Sequence, residues 1–549
     1  MEIIKKKERK DAHPYIPELK EHYLGGRITR REFIRHAAIL GMSLSSIGLF
    51  LGAGGRGVAK AASSTPVRGG TLRTEYNWIP YVNDPAADGV GTGLVGLAIA
   101  EPLVWVGEDA VPRPQLAKSW SASEDAKEWT LHLQQGVKFN NGKPFNADDV
   151  IWNFKHWLDP KAGSSMAAKL DFLPATGIEK VDDYTIKCHL NRSYFAFPLA
   201  LYDYPSMIAP EGGWDDFYKG DSNHAIGTGP FLMESFTPDE RMVLVRNPNY
   251  WQMGADGKAL PYVDKVVVTA GWDDAARLAA LIGNEADLLT PGEGVIAELE
   301  KSDAVNVEYF TTGWITPIVM RCDMAPFDDK RVRQALKLVQ DREKIKALVQ
   351  PNGRVGYDHW IASTDAAYCP DTAAGQGPDI EKAKALLAEA GHPNGLELEL
   401  AIPKGDFRTA YAQVYKEMAA KAGINIKINM LPSSAFWDQW MKWPFSVSGW
   451  NGRIPATANI NLALRCGGKW NESYYCNKDF EAVLNEADAT VDVAKRRKLY
   501  CKIQSIMQED SGYLIPFWAA SFRARRKNVQ LPDTWSRGGL LWHYMWLSG

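Results

Sequence analysis

The sequence has little cysteine and histidine, no strong excess of charge and a single modest apolar run. Its 549 residues include six cysteines and ten scattered histidines, and no two cysteines have C-x-x-C spacing. This argues against a structural zinc site and gives no reason to expect a metal or another cofactor. The formal net charge of −3 comes from 63 basic and 66 acidic residues. No strongly basic face is therefore expected, and nucleic-acid binding is not predicted.

Sequence motifs of common enzymes are also missing. There is no G-x-S-x-G, no H-E-x-x-H and no phosphate-binding G-x-x-x-x-G-K-[ST]. Gly91-Thr92-Gly93-x-x-Gly96 superficially resembles a dinucleotide-binding fingerprint, but no predicted strand leads cleanly into it. These absences favour a protein that is not an enzyme.

The first 61 residues have the three parts of an export signal. A charged segment with Lys5-Lys6-Lys7 contains Thr29-Arg30-Arg31-Glu32-Phe33-Ile34 further on, and an apolar run at 37–53 and the small-x-small sequence Ala59-Lys60-Ala61 follow. Arg30 and Arg31 before an apolar pair are typical of a twin-arginine signal, which the translocase reads as an address. The alternative is an uncleaved membrane anchor, but the apolar run is short and rich in Gly and Ser, whereas a span needs ~20 apolar residues.

Cleavage after Ala61 would change the charge of the protein. Residues 1–61 hold 12 basic and 6 acidic residues, so the mature chain would carry a charge of about −9. No second long apolar run follows, so we expect a soluble periplasmic protein, folded before it crosses the membrane if the twin-arginine route is used. The remaining chain is too long for one hydrophobic core and predicts two or three domains.

All of the cysteines follow the predicted cleavage site, in a compartment where thiols are able to pair. They are Cys188, Cys322, Cys369, Cys466, Cys476 and Cys501. Cys466 and Cys476 flank the short loop GGKWNESYY, which is rich in turn-forming residues, so we predict a disulfide between them. The pairing of the other four cysteines stays open.

The most informative block of the chain is AIGTGPFLMESFTPDERMVLVRNPNYW, at Ala225–Trp251. A Gly/Pro turn, two strand-like segments and an Asn-Pro turn predict a long β-hairpin. Another block, GKPFNADDV at Gly142–Val150, places Asn146 as a helix N-cap with Asp148 and Asp149 in the first turn. Capping, rather than catalysis, is expected of these two carboxylates.

The later half of the chain alternates helices with strands. PFDDKRVRQA, at Pro326–Ala335, predicts a helix with an apolar stripe. Two further helices end at Gly391 and Gly423, and a strand follows each. This rhythm favours a mixed sheet flanked by helices.

These blocks closely resemble, in the same order, the motifs of the bacterial extracytoplasmic solute-binding proteins of family 5, which serve ABC importers for dipeptides, oligopeptides or nickel. The resemblance runs from about Gly69 to the C-terminus. It implies an α/β fold with two lobes: a periplasmic binding protein of type II, similar to cluster C, with an extra subdomain in the first lobe and hinge strands near 315–322 and 515–520. The predicted parts are the signal at 1–61, the first lobe at 66–320 with its inserted subdomain at about 104–224, the second lobe at 321–518 and a return to the first lobe at 519–549.

The function that the resemblance implies is capture and delivery. A monomer would bind a small organic solute in the cleft between the lobes and pass it to the ABC permease subunits in the inner membrane. The same fold could instead serve a chemoreceptor or act as a periplasmic chaperone. The alternative from another class is an exported carbohydrate-active enzyme that uses paired carboxylates in a tryptophan-rich cleft, since the chain has 20 tryptophans.

The loop Ser448–Arg453, SGWNGR, is the predicted ligand loop, because its two glycines permit close backbone approach. In peptide-binding family members the corresponding Trp is followed three residues later by an Asp, which pairs with the amino group of the peptide. Here Trp450 is followed by Asn451 and, at that spacing, by Arg453. A guanidinium suits carboxylate or phosphate, so we predict a ligand with an anionic group facing Arg453 and stacked on Trp450.

Ligands of this kind would be an acidic or modified amino-acid conjugate, an opine-like compound or a sugar acid. The alternative is that Arg453 pairs with a carboxylate of the protein itself. Further candidate ligand residues follow from their position alone, after the first mature strand, before the hinge or upstream of the ligand loop. They are Tyr76, Asn77, Trp78, Trp314, Trp437 and Trp440.

Overall fold

A computed structural model of the protein describes residues 13–53, 65–76, 79, 84–87, 95–107, 109–363, 365, 367–373, 377–404, 407–452, 456–531 and 541–548. Several residues singled out in the sequence lie outside these ranges: Lys5–Lys7, the predicted cleavage site at 59–61, Asn77, Trp78, Gly91–Gly93 and Arg453. Within the described ranges, no helix is both long and apolar enough to cross a membrane.

The described α-helices are α1 Ile16–Leu24, α2 Arg30–Ile39, α3 Leu44–Ala53, α4 Ala147–Leu158, α5 Ser165–Lys169, α6 Phe197–Ala200, α7 Asp274–Ile282, α8 Ile296–Glu300, α9 Lys330–Leu338, α10 Arg342–Val349, α11 Ile380–Glu389, α12 Arg408–Ala420, α13 Ser433–Trp437, α14 Ala456–Ala463, α15 Lys478–Ala489 and α16 Val493–Asp510.

The described strands are β1 Thr71–Tyr76, β2 Val104–Val106, β3 Pro112–Pro114, β4 Ala117–Ala122, β5 Glu128–Leu133, β6 Ile178–Asp182, β7 Thr185–His189, β8 Phe231–Thr237, β9 Arg241–Arg246, β10 Lys265–Ala270, β11 Leu288–Leu289, β12 Val305–Ile315, β13 Ile318–Met320, β14 Arg354–Val355, β15 Leu396–Pro403, β16 Ile424–Leu431, β17 Phe445–Val447, β18 Tyr513–Leu514, β19 Phe517–Arg526, β20 Val529–Gln530 and β21 Trp546–Leu547.

The chain divides into two compact units. The first comprises Met1–Tyr309 and Phe522–Gly549, and the second comprises Phe310–Ser521. The chain leaves the first unit within β12 and returns to it within β19. The sequence places these crossings after residues 320 and 518, so the first crossing comes earlier in the chain than expected and the second slightly later. No turn marks either crossing, because each lies inside a continuous strand.

A mixed sheet organises the first unit. Its strands β11, β1, β10, β9 and β8 lie side by side in that order. β1 and β10 run parallel, with Thr71 opposite Lys265, whereas β8 and β9 form the hairpin that the sequence predicts within Ala225–Trp251. Leu72 and Val266 are among the side chains that fill the core of this unit.

The turn before β8 packs directly against another backbone segment. A Cβ atom on Gly227 would lie 2.0 Å from the carbonyl oxygen of Ile99, and one on Gly229 would lie 2.6 Å from the same oxygen. Contacts this short with a backbone atom exclude any side chain. The two glycines therefore let the hairpin block approach the segment around Ile99.

A buried carboxylate, that of Glu101, connects the two ends of the hairpin block. Its oxygens accept hydrogen bonds from the Thr228 hydroxyl at 2.9 Å, the Tyr250 hydroxyl at 2.6 Å and the Trp251 indole N–H at 2.9 Å. The amide of Gln115 donates a further one. Burial raises the pKa of Glu101, and these donors oppose that rise. The hairpin block is therefore scaffold built around a buried acid.

Within the range predicted for the inserted subdomain, the strands form a separate sheet in the order β4-β5-β7-β6, and helix α4 begins at a capping box. The side chain of Asn146 accepts from the first turn, and the buried Asp149 accepts from the Asn146 N–H at 2.9 Å. Lys143 pairs with Asp149, and Lys180 pairs with Asp148 at 2.8 Å. Both carboxylates of this acidic pair are thus engaged at the start of the helix.

The second unit contains a sheet in the order β16-β15-β17-β13-β18. β15 and β16 run parallel, and α12 connects them. A Cβ atom on Gly395 would lie 1.9 Å from the carbonyl oxygen of Gly423, so glycine is needed where these two strands begin. Because β17 lies between β15 and β13, the loop that follows β17 starts beside the N-terminal end of β13.

Two disulfides are present in the described part of the chain, both in the second unit. One joins Cys466 and Cys476, the pair that the sequence predicts. The other joins Cys369 and Cys501, which are 132 residues apart and whose pairing the sequence left open. Cys188 and Cys322 carry free thiols, and burial raises the pKa of both.

The two disulfides should differ in how much they stabilise the second unit. A cross-link limits the unfolded chain more when it closes a longer loop, by about 5 kcal/mol for a loop of 132 residues and about 3 kcal/mol for one of 10. We expect the Cys369→Ser/Cys501→Ser variant to lose about 2 kcal/mol more unfolding free energy than the Cys466→Ser/Cys476→Ser variant. Urea unfolding of the oxidised proteins measures this, and equal losses would contradict it.

Candidate functional site

The ligand loop that the sequence predicts, Ser448–Arg453, follows β17 in the second unit. Its first residues are fixed by backbone hydrogen bonds: the Ser448 N–H donates to the Pro317 carbonyl at 3.0 Å. Trp450 and Ile315 exchange two hydrogen bonds, at 2.9 and 3.1 Å. The loop is therefore held against β12 and β13 up to Trp450.

The ring of Trp450 lies in a cluster of aromatic side chains and is only 5% exposed. Its ring centroid lies 4.9 Å from that of Trp360, 6.0 Å from that of Trp440 and 6.1 Å from that of Trp470. Edge contacts of this kind stabilise aromatic pairs beyond the area that they bury. The structure places Trp450 at the centre of this cluster, and stacking of a ligand on its ring stays a prediction.

A buried carboxylate fixes the orientation of Trp450. The indole N–H of Trp450 donates to Oε1 of Glu472 at 2.6 Å. Burial raises the pKa of Glu472 to about 7, although the hydrogen bond from Trp450 favours the ionised form. Glu472 lies in the loop between Cys466 and Cys476, so that disulfide restricts the segment that carries the acceptor.

A second cationic residue, which sequence reasoning missed, lies beside the loop. The guanidinium carbon of Arg408 is 5.7 Å from the centroid of the Trp437 ring, and its Nε donates to the Ser448 carbonyl at 3.3 Å. A Cβ atom on Gly449 would lie 2.4 Å from Nη2 of Arg408. This Nη2 atom is the end of a flexible side chain that can move, so close approach of a ligand at Gly449 stays a prediction.

One signal in the sequence could have drawn attention to Arg408. It is the first residue of α12, where the positive end of the helix dipole disfavours a cation. Side chains in an unfavourable electrostatic position often serve a purpose other than stability. Only the fold, however, places Arg408 beside a loop 40 residues further along the chain.

The remaining candidate residues are distributed over both units. In the second unit, Trp437 and Trp440 lie near one another, with centroids 6.5 Å apart, and Trp314 is 54% exposed. The carbonyl of Asn451 accepts from the Asn459 amide at 2.8 Å. Tyr76 lies at the end of β1 in the first unit, where burial raises the pKa of its hydroxyl.

The structure thus brings together Trp437, Trp440 and Trp450 of the predicted set. It adds Arg408 and Glu472 to them. Trp360 and Trp470 complete the same aromatic cluster. The result is a patch of indole rings with a cation on one side and a buried acid behind it. Such a patch is suited to hold flat or apolar parts of a ligand beside an anionic group.

The buried acid should make the stability of the protein depend on pH. The folded state keeps the Glu472 proton up to about pH 7, whereas an unfolded chain releases it near 4.5. Between these values the folded state binds more protons, so this group's contribution to unfolding free energy falls as the pH rises, by on the order of 3 kcal/mol in total.

Glu472→Gln keeps an acceptor for Trp450 but cannot ionise. We expect it to be more stable than the wild type at pH 8 and to lose this advantage at pH 4. Urea unfolding at both pH values measures the difference, and Glu417→Gln, at an exposed position on α12, is the matched control. The same pH dependence in Glu472→Gln and the wild type would show that folding does not raise the pKa of Glu472.

Comparison with known proteins agrees with this architecture. Residues 111–472 match the family described as bacterial extracellular solute-binding proteins, family 5 Middle. Heme-binding protein A of Haemophilus influenzae is 29% identical over 73% of this chain and 78% of its own length. Dipeptide-binding protein of Escherichia coli K12 is 29% identical over 76% of this chain and 83% of its own length.

Among solved structures, the PBP AgaA in complex with agropinic acid, from A.tumefacien R10, has a TM-score of 0.76 and 25% identity. The match covers 87% of this chain and 99% of AgaA. These relatives are binding proteins by name, and the solved ones are two-lobed periplasmic binding proteins with mixed α/β sheets. The chain therefore belongs to family 5 of the bacterial extracellular solute-binding proteins and has their fold.

Proposed function

We propose that this protein is the periplasmic substrate-binding component of an ABC importer, which captures a small organic solute and delivers it to the permease subunits in the inner membrane. Family membership supports this role. The twin-arginine sequence at Arg30 and Arg31 supports export by the translocase that reads such signals. The protein would act as a monomer.

The proposed ligand carries an anionic group that faces Arg453, and its class is an acidic amino-acid conjugate, an opine-like compound or a sugar acid. The observation that carries this proposal is the position of Arg408, whose guanidinium lies over Trp437 and against the backbone of Ser448. A cation at this place, together with Arg453 where peptide-binding relatives have an Asp, gives a site suited to negative charge.

The comparisons support two ligand classes. AgaA, which is 25% identical, was solved with agropinic acid, an acid by name. Dipeptide-binding protein of Escherichia coli is 29% identical and binds dipeptides by name. This chain has Arg453 where peptide-binding relatives have an Asp. The absence of that Asp favours an acidic ligand over a peptide, because the amino group of a bound peptide would lack its negatively charged partner.

Titration calorimetry of the purified protein with agropinic acid and with a panel of dipeptides tests the ligand class. We expect agropinic acid to bind, and we expect Arg453→Ala to weaken it by 10- to 100-fold. This corresponds to the loss of one charge-assisted interaction of about 1.5–3 kcal/mol. Arg331→Ala is the control: it removes an arginine of α9 that pairs with the N-cap residue Asp329, and it should leave the affinity for agropinic acid unchanged.

Two outcomes would contradict the proposal. Unchanged affinity for agropinic acid in Arg453→Ala would remove Arg453 from the site. Tight binding of dipeptides without binding of agropinic acid would show that the protein recognises a free amino group in spite of the missing Asp. If a glycan is added to the purified protein and is hydrolysed, this would instead favour the carbohydrate-active enzyme.

A further inference from the structure

The N-terminal segment 13–53, which the sequence assigns to the export signal, is folded and belongs to the first unit. Its helices α1, α2 and α3 share a small aromatic core. The ring of Phe33 lies 5.1 Å from that of Tyr23 and 5.0 Å from that of Phe50, and Phe33 is fully buried. A segment that only carried an address would need no such core.

The C-terminal half of α2 contacts the rest of the unit at a docking face, which we define as Asp109, Trp120 and Phe195. The guanidinium of Arg35 donates two hydrogen bonds to the Asp109 carbonyl, both at 3.0 Å. The ring of His36 stacks on that of Phe195, with centroids 5.7 Å apart. Arg35 is 7% exposed, so this long cationic side chain is buried in the contact and not displayed on the surface.

Trp120 of the docking face caps the C-terminal end of α2. Its indole N–H donates to the carbonyls of Ala38 and Ile39, both at 3.1 Å. Carbonyls in the last turn of a helix have no partner within the helix, so a donor from outside stabilises that end. Gly41, just beyond, has φ +85, and a Cβ atom there would lie 2.3 Å from the Trp120 carbonyl oxygen.

The other end of α2 is on the surface. Thr29 and Glu32 form a capping box, and Arg30 and Arg31 in the first turn are exposed. Two cations at the positive end of a helix dipole oppose the helix and do not stabilise it. The arginine pair is therefore unexplained by folding, whereas Arg35, Ala38 and Gly41 are explained by docking.

We propose that residues 13–53 are an intramolecular ligand of the docking face in the full-length precursor, and that docking holds α2 so that Arg30 and Arg31 stay on the surface for the export receptor. The docking does not depend on the transported ligand. The display role rests on the proposed twin-arginine export, and the test below separates the two.

Hydrogen exchange of the full-length precursor, purified from the cytoplasm, tests the docking. We expect slow exchange of the amides of residues 33–40 in the wild type and at least a tenfold loss of protection in Gly41→Ala. Gly26→Ala is the matched control, because Gly26 also has a positive φ, +69, but a Cβ atom there meets nothing within 4 Å. Trp120→Phe, which keeps a ring but removes the donor, should also reduce the protection.

The amides of β15, in the second unit, report whether each variant is folded. Unprotected exchange of residues 33–40 in the wild type would overturn the docking, and so would equal effects of Gly41→Ala and Gly26→Ala. For the display role, Gly41→Ala, which keeps both arginines, should export more slowly than Gly26→Ala, and Arg30→Lys/Arg31→Lys should block export with the protection of residues 33–40 unchanged. Equal export of Gly41→Ala and Gly26→Ala, or normal export of Arg30→Lys/Arg31→Lys, would overturn the display role alone.

Discussion

The hydrogen bond from the Trp450 indole to the buried carboxylate of Glu472 is the constraint on which the candidate site depends. A carboxylate inside a protein is costly unless it is neutralised or surrounded by donors. Burial raises the pKa of Glu472 to about 7, and the indole N–H of Trp450 donates to its Oε1 at 2.6 Å. Because the backbone of Trp450 also pairs with that of Ile315, ring and main chain are fixed together. The loop that continues toward Arg453 therefore starts from a rigid point, next to Arg408.

The first unit also has a buried carboxylate surrounded by hydrogen-bond donors, and there it holds the hairpin block together. Glu101 is buried among donors from both ends of the hairpin block, including Thr228 and Trp251. Those donors and the close glycine contacts explain why this block has such a recognisable sequence. It is scaffold, and its residues say which family the chain belongs to and little about the ligand. We propose that residues beside the loop after β17, such as Arg408, determine which ligand is bound.

Features with a local cause could be predicted from the sequence. Asn146 caps the helix that follows it, and the Cys466–Cys476 disulfide closes a loop of turn-forming residues. Features that depend on distant segments could not. The partner of Trp450 lies 22 residues away, and the Cys369–Cys501 disulfide spans 132 residues. Sequence alone therefore could not predict the aromatic cluster that surrounds Trp450.

The contacts of the N-terminal segment also depend on distant residues and could not be predicted from the sequence. Its charged, apolar and small-residue parts predict an export signal, but they do not predict that Arg35 and Trp120 would join it to the first unit. In α2, exposed arginines lie at one end and a buried face lies at the other. We propose that the arginines are an export address, whereas the contacts of Arg35 show that the other end is packed.

We propose that the protein recognises an acidic compound and does not recognise the free amino group of a peptide. Mass spectrometry of the small molecules released from protein purified from the periplasm tests it most directly. We expect one compound in near-equimolar amount that is an acid or an amino-acid conjugate. A mixture of ordinary di- and tripeptides would contradict it.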